Sequence, residues 1–344
     1  MKIVVLAGGT STERTVSITS GTGICKALRQ KGHQAILVDI FCGIENVDRE
    51  NPFPSEYDVD AASEYMSAFN DRIEQMKKER RSFFGPNVLK LCEAADIVFL
   101  GLHGANGEDG KLQGAFDLMG IPYTGTGYLS SAMAMDKGVT KAMFQMRGVP
   151  TPAGKAMKKK DRVETPQELG MDFPVVVKTC CGGSSIGVYI VDNQEDYTKA
   201  LDGAFTYENE VVVEEFVEGV EYTVAVVDGK AYPVVQIVPV QGFYDYENKY
   251  KPGAVKETCP APISEELTKR LQEAAVDGYH ALEMESYARL DFIVTKDEKI
   301  YCLEANTLPG MTPTSLIPQE AAVLGMDYPT LCEELIKVSQ KKYA

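Results

Sequence analysis

Asp291 and Glu304 lie in two segments that alternate polar and apolar residues, Arg289-Leu290-Asp291-Phe292-Ile293-Val294 and Tyr301-Cys302-Leu303-Glu304-Ala305-Asn306. Alternation marks a half-buried strand, and the charged run from Thr295 to Ile300 between them reads as a turn. If that turn is symmetric about Asp297-Glu298, Asp291 faces Glu304 and Arg289 faces Asn306. Side chains two apart share a face, so all four project together. Opposed carboxylates repel unless a cation sits between them. Asp, Glu and Asn all offer oxygen, a donor set that suits Mg²⁺ rather than zinc. The same residues would also serve as a solvated face on which Arg289 neutralises Asp291; the Pro309-Gly310 turn that follows favours a site.

A second group could handle phosphate. Lys178 precedes Gly182-Gly183-Ser184-Ser185-Ile186-Gly187. Small residues let backbone N–H groups approach an anion, and serine hydroxyls add donors. No GxxxxGK[ST] string is present, and the Gly8-Gly9 loop does not complete a GxGxxG fingerprint. Taken alone, the loop is equally a plain hairpin turn, and Lys178 and Lys137 ordinary surface lysines. The segment Glu214-Glu215-Phe216-Val217-Glu218-Gly219-Val220-Glu221 follows a Val-rich strand and could act as a hinge offering backbone groups to an adenine edge.

The elements that must position these groups read as mixed α/β. Residues 1–42 give strand, Gly loop, helix and strand, a βαβ opening whose default is a parallel sheet. Residues 43–90 are polar and irregular, and Met66, Phe69, Ile73 and Met76 recur there at helical spacing, predicting an amphipathic helix in an insertion. Further strands are expected at 96–102, 175–178, 187–191, 211–213, 221–227 and 231–239, and helices around 194–203, 264–282 and 330–340. The chain has 344 residues, more than one core usually organises. We expect three domains: 1–125, α/β and substrate-binding, with the insertion at 43–90; 126–213, central; and 214–344, with the metal and catalytic groups.

Composition narrows the class. At 44% hydrophobic and 25% charged residues the chain reads as a folded soluble protein. No apolar run reaches the roughly 18 residues a bilayer requires, so no membrane partner is expected. Eight cysteines without a CxxC pair read as reduced thiols in a cytoplasmic protein. A net charge of −15 argues against nucleic acid as a partner. A bound nucleotide would need the few lysines and arginines of its site, with metal help.

Together the segments resemble the D-alanine–D-alanine ligases of the ATP-grasp superfamily. The strings that carry the resemblance run through most of the chain outside 43–90. They are Gly8-Gly9-Thr10-Ser11-Thr12-Glu13-Arg14 with Val16-Ser17, His103-Gly104 with Gly107-Glu108-Asp109-Gly110, and Pro122-Tyr123-Thr124-Gly125. Next come Met135-Asp136-Lys137, Gly183-Ser184-Ser185 after Lys178, and Phe243-Tyr244-Asp245-Tyr246 with Lys249-Tyr250. The last are Arg289-Leu290-Asp291 and Leu303-Glu304-Ala305-Asn306-Thr307 leading to Pro309-Gly310-Met311-Thr312.

The resemblance implies a three-domain ATP-grasp fold and a ligase joining two D-alanine molecules through a D-alanyl phosphate, for peptidoglycan precursors. It implies that Lys137 and Lys178, with Ser185 and Lys249, serve the ATP phosphates. Glu214 would meet the adenine amino group, Phe216 and Val217 line the hinge, and Glu221 meets the ribose. Asp291, Glu304 and Asn306 would bind two Mg²⁺, for which Mn²⁺ can substitute. Glu13 would receive the first substrate's ammonium in a set with Ser184 and Tyr250, and Val16 and His103 would lie beside that substrate. Arg289 and the Gly310 N–H would stabilise the oxyanion, and Ser315 and Leu316 would face the second substrate's carboxylate. Loop 241–256 would close over the site, and a homodimer is expected.

Thr179-Cys180-Cys181 departs from the residues usual between Lys178 and the Gly-Ser-Ser loop. The Lys249-Tyr250 string favours D-alanine over D-lactate as second substrate. A D-alanine–D-serine ligase differs only in that pocket and is the nearest alternative. A non-catalytic nucleotide or amino-acid sensor on the same scaffold should lack a metal ligand or Arg289, and this chain keeps them. A ligase for another amino acid is disfavoured by Glu13, Ser184 and Tyr250 together.

Overall fold

A computed structural model describes residues 1–183, 186–239 and 255–344 of the chain. It divides into two compact units. The first comprises Met1–Ser131, Glu285–Ala288 and Thr307–Ala344, and the second Ala132–Met284 with Arg289–Asn306.

In the first unit, β1 (Lys2–Ala7) is apolar after its first residue and buried along that length. Continuous burial is what a parallel strand covered on both faces requires. It lies between β2 (Gln34–Asp39) and β3 (Ile97–Leu100), parallel to both, in the order β2-β1-β3. The βαβ reading of the opening residues is therefore correct. The crossover is α1 (Arg14–Gln30), whose Arg14, Ser17, Ile18, Gly21, Ile24, Cys25 and Leu28 are buried at helical spacing. Gly21 is needed for this contact, since a Cβ there would stand 2.5 Å from the Ala7 side chain.

The helix predicted through Met66, Phe69, Ile73 and Met76 is instead broken. α2 (Val59–Ser67) and α3 (Ile73–Glu79) are separated by a 3₁₀ turn at Asn70–Arg72. α4 (Val88–Glu93) closes the segment. Its Phe53, Ile73, Val88, Leu91 and Cys92 are buried in one cluster with Val4, Leu6, Ile36 and Val98. The insertion thus shares the sheet's core. α5 (Lys111–Met119) follows, α6 (Tyr128–Met135) spans the division after Ser131, and the carboxyl end adds α10 (Leu316–Val323) and α11 (Tyr328–Gln340) to this unit.

The second unit carries two sheets. One has the order β4-β7-β5-β6, built from β4 (Gly154–Lys158), β5 (Val175–Thr179), β6 (Val188–Val191) and β7 (Glu210–Glu215). α8 (Gln194–Tyr207) packs its Tyr197, Leu201 and Phe205 into that sheet's core. The other has the order β11-β10-β8-β12-β13, with β9 (Lys230–Ala231) beside β8. Its members are β8 (Val220–Val227), β10 (Val235–Pro239), β11 (Val255–Thr258), β12 (Tyr287–Val294) and β13 (Ile300–Asn306). α7 (Lys137–Arg147) begins at Asp136, whose carboxylate accepts from Val139 N–H, and ends at Gly148 in the left-handed region. α9 (Glu265–Ala281) is capped by Ser264. Among the described residues no helix is long and apolar enough to cross a membrane.

Candidate active-site residues

Within the second unit the β12–β13 hairpin pairs Asp291 with Glu304 and Arg289 with Asn306, as a symmetric turn predicts. Nearer the tip the prediction fails, for Phe292 pairs with Cys302. Leu303 is the extra residue, a β-bulge that absorbs the one-residue slip. The bulge lets Cys302 stay buried while Glu304 faces the same side as Asp291.

Asp291 is held by several donors. Arg289 donates from Nε to Oδ1 at 2.9 Å and from Nη2 to Oδ2 at 2.8 Å. Thr223 Oγ1 donates at 2.6 Å and Asn306 Nδ2 at 2.9 Å. Glu304 Oε2 lies 3.3 Å from Lys137 Nζ. Lys137 heads α7, its backbone N–H donating to Cys180 O at 2.9 Å and its Nζ to Gly182 O at 2.7 Å. Burial would lower the Lys137 ammonium, but the Glu304 carboxylate outweighs it and holds the group above its ordinary value.

Lys178 and Glu214 come from neighbouring strands β5 and β7. Lys178 Nζ donates to Glu214 Oε1 at 2.6 Å. Lys141, one turn beyond Lys137 on α7, places its Nζ 2.7 Å from Glu214 Oε2 and donates to Pro152 O and Thr151 Oγ1. Glu214 is only 3% exposed. Burial alone would push its carboxyl up, yet Lys178 and Lys141 reverse that and hold it below the ordinary value. Lys141 meets Oε2 at ion-pair distance, so each oxygen of the carboxylate faces an ammonium. Phe216 and Val217 lie half-buried in the β7–β8 turn, with Phe216 N–H donating to Pro174 O, and Glu221 is half-buried on β8.

In the first unit Glu13 occupies the position before α1 without capping it through its side chain. Its carboxylate lies against the His103-Gly104 turn, because a Cβ on Gly104 would stand 2.8 Å from Glu13 Oε2. Val16 is half-buried one turn further along. His103 is buried, with Nδ1 2.9 Å from Leu308 O and Nε2 3.0 Å from Ser20 Oγ. A carbonyl can only accept, so the neutral ring carries its proton on Nδ1 and takes one from Ser20. Glu108 links the same segments, accepting from Gly104 N–H at 2.7 Å and from Leu308 N–H at 2.9 Å. Gly310 packs against Ser315, whose Oγ would lie 3.0 Å from a Cβ added there. Ser315 precedes α10, and Leu316 is buried at its start.

Ser20, Glu108 and Lys141 were absent from the sequence-based assignment. Ser20 follows Glu13 by two turns of one helix stripe, Lys141 stands at i+4 from Lys137, and Glu108 sits inside a string quoted only for its resemblance. Ser184, Ser185, Lys249 and Tyr250 lie outside the described residues. Among the described residues no three His, Cys, Asp or Glu side chains gather as a metal cluster; Asp291, Glu304 and Asn306 are two carboxylates and an amide.

Two family models match the chain. The family model described as D-ala D-ala ligase N-terminus matches residues 2–126, and that described as D-ala D-ala ligase C-terminus matches 143–337. A D-alanine–D-alanine ligase of Pediococcus pentosaceus is 42% identical over 353 residues, covering 100% of this chain and 99% of that relative. The crystal structure of a Bacillus anthracis D-alanine–D-alanine ligase complexed with ATP superposes with a TM-score of 0.76 at 29% identity, covering 99% of this chain and 98% of that one. The VanG D-Ala:D-Ser ligase of Enterococcus faecalis gives a TM-score of 0.77 at 29% identity, covering 98% of this chain and 99% of that one.

Proposed function

The chain belongs to the D-alanine–D-alanine ligase family, and from that premise we propose that it joins two D-alanine molecules with ATP, supplying a peptidoglycan precursor. The γ-phosphoryl of ATP passes to the carboxylate of the first D-alanine, giving ADP and an acyl phosphate. The amine of the second attacks the acyl carbon, loses a proton, and inorganic phosphate leaves as the amide forms.

The observation that carries this reading is the β12–β13 register, which gathers Asp291, Glu304 and Asn306 beside two cationic side chains. These oxygen donors fit Mg²⁺, or Mn²⁺ in its place. When bound, two such ions would offset charge on the phosphates. We assign Lys137 and Lys178 to the phosphates, with Ser185 and Lys249. We assign Glu214, ionised between two lysines, to the adenine amino group. Phe216 and Val217 line the base and Glu221 takes the ribose.

Glu13 is assigned to the first substrate's ammonium with Ser184 and Tyr250, and Val16 and His103 to its surroundings. Arg289 and the Gly310 N–H are assigned to the developing oxyanion, where preorganised donors contribute several kcal/mol. Ser315 and Leu316 are assigned to the second substrate. We take segments 1–125, 126–213 and 214–344 as the functional pieces, and a cytoplasmic homodimer as the working form. D-serine as second substrate is the competing reading, and VanG has this fold; relatives 41–42% identical over the whole chain are D-alanine–D-alanine ligases.

Phosphate release with ATP and D-alanine, repeated with D-serine or D-lactate as competitor and the products weighed, tests the proposal. D-alanyl-D-alanine should dominate. A mixed D-serine product, or no phosphate release with D-alanine alone, would overturn it.

A further inference from the structure

We propose that Asn70, in the 43–90 segment, is a positioning residue for the first substrate, acting through Arg14 on the turn that carries Glu13; the proposal rests on the assignment of Glu13. Arg14 directly follows Glu13 and is 6% exposed. Its guanidinium is shared among three parts of the first unit. Nη1 donates to Gly9 O at 2.7 Å, Nη2 to Asp39 Oδ2 at 2.6 Å and to Met66 O at 2.8 Å, and Nε to Asn70 Oδ1 at 2.8 Å. Two of these acceptors, Met66 and Asn70, belong to the segment whose purpose the sequence does not disclose.

Asp39 is committed elsewhere as well. Its Oδ1 accepts from Phe41 N–H and Cys42 N–H, both at 2.9 Å. The carboxylate is therefore fixed, and Arg14 is oriented against it by Gly9, Met66 and Asn70. Asn70, though exposed, accepts the Nε proton and so fixes the remaining edge of the buried guanidinium. The Gly8-Gly9 turn packs directly on the pair. A Cβ on Gly8 would stand 2.4 Å from Asp39 Oδ2 and 2.8 Å from Arg14 Nη1. Any movement of the guanidinium is thus a movement of the turn.

Helix geometry passes the constraint on. With Arg14 pinned inward, Glu13, Val16 and Ser20 fall on an adjacent stripe, and Ser20 bonds His103. Asn70 thereby sets the rotation of the first turn of α1, and with it the direction of the Glu13 carboxylate.

A structural role alone would lower stability without touching substrate binding, so the test separates the two. Asn70→Ala should raise the KM for D-alanine at the first site about tenfold, the size of one lost hydrogen bond to a charged group. KM for ATP and kcat should stay within about twofold. Amide exchange should quicken across residues 8–17. Asn70→Asp, which still accepts from Nε, should restore both the D-alanine KM and the exchange protection. Ile73→Val, in the same segment but away from Arg14, should lower Tm with D-alanine KM unchanged. Equal Tm losses in Asn70→Ala and Ile73→Val with wild-type D-alanine KM in both would overturn the proposal, as would a rise in KM for ATP of the same size. Glu13→Gln, measured alongside, tells the failures apart. A wild-type D-alanine KM there removes Glu13 from the substrate site, while exchange at 8–17 still decides whether Asn70 holds the turn.

Discussion

Asp291 and Glu304 stand directly opposite one another across the β12–β13 pair, and each is answered by a different cation, Arg289 for the first and Lys137 for the second. Paired carboxylates cost stability unless their charge is met. Here one cation comes from the same strand and the other from the first residue of α7. Glu304→Gln should keep the fold, because Glu304 is half-buried and its amide is of equal size. Turnover should fall by at least about 10²-fold, the scale of losing one preorganised charge. Phosphate release at saturating Mg²⁺ and a melting curve check it. A wild-type rate would remove Glu304 from the mechanism.

Two glycines of left-handed φ should respond to alanine very differently. Gly8 (φ +75°) has Asp39 Oδ2 at 2.4 Å from a prospective Cβ, while Gly32 (φ +83°) has nothing within 4 Å. Gly32→Ala meets only the backbone penalty, about 1 kcal/mol. Gly8→Ala adds a clash with a buried ion pair and should cost about 3 kcal/mol or more. Urea unfolding of the two variants measures the difference, and equal midpoints would show that the turn relaxes freely.

The parallel β2-β1-β3 sheet was legible because its strands are apolar between their ends, and the hairpin register was legible because its alternation is long. The break between α2 and α3 was not, since Met66, Phe69, Ile73 and Met76 keep helical spacing across the 3₁₀ turn and periodicity carries no sign of it. Nor was the Leu303 bulge, which needs the positions of Cys302 and Glu304 relative to the core. Glu108 and Lys141 escaped for another reason. Each acts on partners far along the chain, Leu308 and Glu214, and such pairings exist only once the chain is folded.

Glu108 joins the His103-Gly104 turn to the Leu308 backbone through both oxygens. In Glu108→Gln one oxygen becomes an NH₂ group facing a backbone N–H, so one of the two bonds is replaced by opposed donors. Because His103 Nδ1 bonds the same residue's carbonyl, Leu308 should shift and carry Gly310 with it. We expect kcat with D-alanine to fall about tenfold or more, with KM for ATP unchanged. A variant with wild-type kcat would assign Glu108 to stability alone.

Glu214 makes the pH dependence of stability predictable in sign. Its folded-state carboxyl is held below the ordinary value of 4.5 by Lys178 and Lys141, which outweigh the burial that would raise it. A depressed carboxyl binds fewer protons folded than unfolded, so its stabilisation is fully present above the unfolded value and is lost as pH falls through the folded one. Glu214→Gln leaves two ammonium groups without their shared carboxylate and should cost about 3–5 kcal/mol near neutrality, the range for breaking a buried pair. The gap between wild type and variant should hold steady from pH 7 down to about 5 and narrow below 4.5. Unfolding free energies at a series of pH values decide it. A gap that stays constant through the acid range would mean that Glu214 is not held ionised by the two lysines, and its assignment as an acceptor for the base would fall with it.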